Sequence, residues 1–152
     1  MEPDGHPALD LEYLKKLRVL EDLSDERMMQ ELRTHLLDSR SPTPSIETLV
    51  HAFIPGKFVD HTHADAILAL TNQPEGEALV REALGQNMIV LEYVRPGFKL
   101  AKAVAESIEA HPEKQAMVWM RHGLVTWAET ARESYQATID LVSKAESFLA
   151  SR

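Results

Sequence analysis

Apolar residues recur along this chain at two periods, and the switch between them marks the elements. Leu9, Leu11, Leu14, Leu17 and Leu20 fall largely on one face of a helix over 9–20. Ser24 is placed to cap a second helix carrying Met28, Met29, Leu32 and Leu36. Asp38 to Pro42 reads as a turn. Thr43-Pro44 reads as the N-cap and first residue of a short helix through about Phe53. Pro55-Gly56 breaks the chain before an extended stretch over 57–63. Helices are expected over 64–70 and 75–84, and 88–91 is β-prone. Phe98, Ala101, Val104, Ala105 and Ile108 mark a further amphipathic helix, closed off by Pro112. Met117–Met120 has the character of a buried strand, Gly123 of a turn, and Leu124–Trp127 of a second strand. Beyond residue 128, Tyr135, Ile139, Val142, Ala145 and Leu149 form one long helical stripe. Residues 1–7 read as a loose lead-in. Helices alternating with strands argue for an α/β fold with helices covering a sheet.

At 152 residues this is one domain, 1–152, with neither repeats nor low-complexity tracts. A hydrophobic content of 44% and a charged content of 26% belong to a soluble globular protein. No apolar stretch approaches the roughly 20 residues that span a bilayer. The opening Met-Glu-Pro-Asp-Gly carries no signal-peptide pattern, and a cytoplasmic protein without membrane partners fits best. There are no cysteines, so a metal would have to sit on His, Asp or Glu. The net charge of −8 argues against a nucleic-acid partner, which needs clustered Lys and Arg. A small anionic substrate needs only a few cations and backbone N–H groups and is compatible with that charge.

The chemistry concentrates in His61-Thr62-His63. On an extended chain the two rings share a face, separated by roughly 6–7 Å. His122 ends the apolar run 117–120 and is a third strand-end histidine. Three neutral imidazoles with an open fourth position are a common way to hold catalytic zinc. The plainer reading is a set of polar strand-end residues bonded to their neighbours. Glu47 likewise has two readings: a carboxylate favouring a helix N-terminus, or a proton shuttle beside a metal. His51, four residues on, could simply pair with it. His6, His35 and His111 read as surface residues. His61-x-His63-x-Asp65 also resembles the start of a metallo-β-lactamase signature, but Ala66 stands where a further histidine belongs. Cupins pair His-x-His with a nearby Glu, but they are all-β.

Pro44-Ser45-Ile46-Glu47-Thr48, Val59-Asp60-His61-Thr62-His63-Ala64 and Arg121-His122-Gly123-Leu124, followed by a long C-terminal helix, resemble the class II aldolase/adducin family in order and flanks. The nearest likeness is to the aldolase part of bifunctional aldolase/short-chain dehydrogenases, which resemble rhamnulose-1-phosphate aldolase. The resemblance implies a mixed, mainly antiparallel sheet flanked by helices on both sides, N-terminally truncated here, and a homo-oligomer. It implies that His61, His63 and His122 coordinate Zn²⁺ or another divalent ion, and that Glu47 shuttles protons. The implied substrate is a ketose 1-phosphate, cleaved to dihydroxyacetone phosphate and an aldehyde. In this family a phenol often protonates the aldehyde oxygen; Tyr93 is the candidate, against its reading as a packed strand-end tyrosine. The sequence departs from the family in one respect: none of its six glycines is followed by Asn, as in the turn that cradles the substrate phosphate. It also has no Gly-x-Gly-x-x-Gly fingerprint and no dehydrogenase half. The expectation is therefore a minimal aldolase domain. The alternatives are an adducin-like interaction module without catalysis, or an epimerase or dehydratase of the same family.

Overall fold

The computed structural model describes residues 5–152; the first four residues of the expected lead-in lie outside that range. In chain order the helices are α1 (Leu11–Lys16), α2 (Asp25–Thr34), α3 (Thr48–Phe53), α4 (Asp65–Thr71), α5 (Gly76–Leu84), α6 (Phe98–Ala110) and α7 (Ala131–Ala150). The strands are β1 (Phe58–Thr62), β2 (Ile89–Leu91), β3 (Ala116–Trp119) and β4 (Gly123–Ala128). The chain falls into two compact units, Met1–Ile54 with Arg95–Glu106, and Pro55–Val94 with Ser107–Arg152.

The first unit is helical. Asp10 caps α1 by accepting the Tyr13 N–H at 3.0 Å. Ser24 caps α2 by accepting the Arg27 N–H at 3.2 Å, and both Met28 and Leu32 are fully buried. Ser24→Ala should lower stability by about 1 kcal/mol. Thermal unfolding should show this as a drop of a few degrees in Tm.

Three helix boundaries differ from the sequence expectation, the second helix ending at Thr34, short of Leu36. The first helix ends at Lys16 rather than at 20; Leu17–Val19 tighten into a 3-10 turn and Leu20 is extended. Only Leu14 and Leu17 of the leucine stripe are buried, while Leu9 forms an isolated bridge with Leu36. The third helix starts at Thr48 rather than at Pro44. The reason is Ser45, whose hydroxyl accepts the Glu47 N–H at 3.1 Å and whose carbonyl accepts the Thr48 N–H at 3.1 Å. That local turn competes with helix at Pro44 and postpones it. His35 is also not a free surface residue. Its ring stacks on Tyr13, and its Nδ1 meets the Glu31 carbonyl oxygen at 2.8 Å. Tyr13 in turn donates to the Glu31 carboxylate at 2.7 Å, which raises its pKa.

The second unit carries the sheet, in the order β1-β4-β3-β2. The β1–β4 and β3–β4 pairs are antiparallel and β2–β3 is parallel, so the sheet is mixed and mainly antiparallel, as expected. Every residue of β3 and β4, the two central strands, is buried. One face packs on helices: Ile67 and Leu70 of α4, Val80 and Leu84 of α5 and Ala145 of α7 share a core with Val118, Met120 and Leu124. The expected α7 stripe holds at Val142, Ala145 and Leu149, which face the core, and fails in the first half of the helix. Tyr135 and Ile139 are exposed, and Ser134 and Ala145 are the fully buried positions. Their small size lets the helix approach the sheet, and the buried hydroxyls are satisfied. Thr126 Oγ1 donates to the Ser134 carbonyl oxygen at 2.9 Å, and Ser134 Oγ donates to the Thr126 carbonyl oxygen at 3.3 Å. Among the described residues, no helix is long and apolar enough to cross a membrane.

Candidate metal centre

Strand parity fixes which side chains meet. On β4, Leu124 and Thr126 point toward the α7 side, so Val125 points to the opposite face. The register pairs His61 with Val125 and Val125 with Met117. His61, Met117 and Trp119 therefore share the face away from α7. His63 lies two residues beyond His61, just past the end of β1, and returns to that face. The β3–β4 hairpin supplies the third ring. Trp119 and Gly123 are paired, and His122 sits in the loop between them.

The three imidazoles form a compact triangle. Ring centroids are separated by 4.7 Å for His61–His63, 5.2 Å for His61–His122 and 5.0 Å for His63–His122. Each ring offers a nitrogen, and these atoms all lie within 4.8 Å of one another. The Nε2 atoms of His61 and His63 are 2.9 Å apart. His61 Nδ1 lies 2.9 Å from the Leu124 carbonyl oxygen. A carbonyl only accepts, so Nδ1 carries the proton and the Nε2 lone pair is aimed into the triangle. Metal-binding histidines are commonly oriented in this way by a carbonyl on the other ring nitrogen. The donor set fits a divalent ion of borderline softness such as zinc. His61 and His122 are half-buried and His63 is exposed, so the triangle has a sheltered base and an open side.

Two backbone features shape this corner. Arg121 has φ 59°, at the third position of the turn closed by the His122 N–H donating to the Trp119 carbonyl oxygen at 3.1 Å. A residue there in a type II turn needs positive φ, so the left-handed conformation falls on Arg121 rather than on a glycine. Gly123 is not the turn residue expected from the sequence; it belongs to β4. Its need is for space. A Cβ there would run into the Thr62 carbonyl oxygen, and would stand 3.0 Å from His61 Cε1 and 3.1 Å from His63 Cδ2. Gly123→Ala should push the end of β1, with His61 and the following His63, away, costing about 1–3 kcal/mol. Thermal unfolding checks the stability and zinc titration checks the site; both should fall together.

Glu47 belongs to the other unit. It occupies the N-cap position of α3, where a carboxylate favours the helix dipole, and its side chain makes no capping hydrogen bond. Tyr93 follows β2 and is 51% exposed, which sets aside its reading as a packed tyrosine. His6, His51 and His111 are exposed. Two contributors escaped the sequence. The Leu124 carbonyl carries no residue-type signal. Trp119 looked like core, yet its ring lies 4.6 Å from that of His61 and 4.9 Å from that of His122.

Comparison with known proteins bears on the same residues. The family described as "Class II Aldolase and Adducin N-terminal domain" matches residues 12–149. The N-terminal class II aldolase domain of a conserved protein from Thermoplasma acidophilum superposes with a TM-score of 0.90 at 35% identity, over 98% of this chain and 68% of that one. A sugar-phosphate aldolase from Thermotoga maritima superposes with a TM-score of 0.63 at 25% identity, over 76% of this chain and 57% of that one. YuxG of Bacillus subtilis, described as an uncharacterized oxidoreductase, is 38% identical over 152 residues. That match takes in all of this chain but only 22% of YuxG. With a mixed α/β fold and a matched segment covering most of its length, the chain belongs to the class II aldolase and adducin family.

Proposed function

We propose that His61, His63 and His122 hold one divalent ion, zinc by preference, and that the chain is an aldolase-type lyase domain acting on a ketose 1-phosphate. The products would be dihydroxyacetone phosphate and an aldehyde. The observation that carries the reading is the convergence of the three imidazoles, with the His61 lone pair aimed inward. A bound divalent ion supplies Lewis-acid stabilisation of the negative charge that develops on the ketone fragment. The protein's own residues do the rest. His61 and His122 are set against buried strands and fix the site's position, while exposed His63 leaves the substrate side open. Glu47 is the proposed acid–base, moving the proton on the nucleophilic carbon. Tyr93, with its phenol half exposed beyond β2, is the proposed donor to the aldehyde oxygen.

Zinc-loaded protein should release aldehyde from a panel of ketose 1-phosphates, and a chelator should stop it. Metal uptake without any lyase activity would instead support an adducin-like interaction module. Interconversion of the sugar phosphate without cleavage would indicate an epimerase. We further propose a homo-oligomer, since Tyr135 and Ile139 lie one turn apart on the outside of α7 at 60% and 41% exposure. Sedimentation should show a species larger than one chain, and a clean monomer at high concentration would remove this expectation.

A further inference from the structure

We propose that Trp119 is the positioning residue of the histidine triangle, the rigid wall that sets the rings of His61 and His122 before a metal arrives. This rests on the metal reading above. Trp119 is 1% exposed, on the same sheet face as His61, and fixed by pairing with Leu91 on one side and Gly123 on the other. Its ring lies 4.6 Å from that of His61 at 41° and 4.9 Å from that of His122 at 49°, so one indole touches two of the three proposed ligands. The indole N–H donates to the Met117 sulfur at 3.0 Å. That bond anchors the ring's polar edge on its own strand, leaving carbon surface against the imidazoles. His122 needs such a wall, because it sits in a loop whose preceding residue, Arg121, has a left-handed backbone, rather than in a strand. Side chains held by packing keep ligands within the tight tolerance a metal site requires.

Zinc affinity measured against a chromophoric chelator tests the inference. Trp119→Phe keeps a ring and should fold, yet leaves a gap beside both imidazoles; zinc should bind about 10–100-fold more weakly. Val118→Ala is the control. Val118 is as deeply buried on the same strand but faces the α4–α5–α7 core, so this variant should lose stability and keep its zinc affinity. A second readout needs no change at the site. The chain has two tryptophans, so in Trp127→Phe only Trp119 emits. Cobalt should quench that emission, saturating at one equivalent. Wild-type zinc affinity in Trp119→Phe or an equal loss in Val118→Ala would overturn the assignment while leaving the metal reading in place, whereas emission indifferent to cobalt would mean that no ion is held beside Trp119 and would overturn both. A wild-type protein that takes up neither zinc nor cobalt would overturn both.

Discussion

Replacing His61 with alanine should abolish stoichiometric zinc binding while leaving the fold in place. Residues that merely orient metal ligands are commonly worth about 10–100-fold in affinity, so loss of a ligand itself should exceed that. The geometry makes His61 the sharpest choice. It is the ring whose tautomer is set by the Leu124 carbonyl oxygen at 2.9 Å, and its Nε2 faces that of His63 at 2.9 Å. Removing it deletes a nitrogen whose lone pair already faces the triangle. The two remaining rings lie 5.0 Å apart, and one of them, His63, is exposed. Circular dichroism should show native helix content, because the β1–β4 ladder is made by backbone groups that the substitution leaves intact. His111→Ala, at an exposed histidine outside the triangle, should bind zinc as the wild type does. Equal affinity in His61→Ala and wild type would remove His61 from the site.

Glu47→Gln should lower kcat by about 10²–10⁴-fold, the usual range for a lost acid–base group, with zinc content and KM little changed. Glutamine keeps the shape and length of the side chain, but it carries no negative charge and cannot take up the proton. Glu47 makes no capping hydrogen bond to α3, and circular dichroism of the variant checks that the helix survives, so that a fall in rate reports on chemistry. A single-turnover measurement on zinc-loaded protein separates the two effects. Loss of rate with metal retained supports the shuttle, whereas full activity in the variant would give the proton transfer to another group.

Much of the fold was legible because period and punctuation agreed. Ser24 capped the second helix as its position suggests, and the alternation over 57–63 put His61 and His63 on one face. At two places a local polar interaction outweighed the apolar pattern. Ser45 drew two N–H groups into a turn and delayed α3 to Thr48. At the start of α7, buried Ser134 and Thr126 satisfy each other, which turns Ser134 inward and leaves Tyr135 outside. The candidate site was legible by residue type but not by assembly. That His122 reaches His61 depends on β1 pairing with β4 across more than sixty positions of sequence separation, here with a 63-residue offset between His61 and Leu124. The reason for Gly123 was not legible at all, since it lies in the approach of the Thr62 carbonyl oxygen and two imidazoles rather than in a turn.

The central claim is that three histidines of one chain hold a single divalent ion. X-ray absorption at the zinc edge, on protein loaded to one equivalent, tests it most directly. The account predicts three imidazole nitrogens at about 2.0–2.1 Å, with the multiple scattering that rings produce. A spectrum of oxygen ligands without imidazole scattering, or protein that cannot be loaded at all, would contradict it.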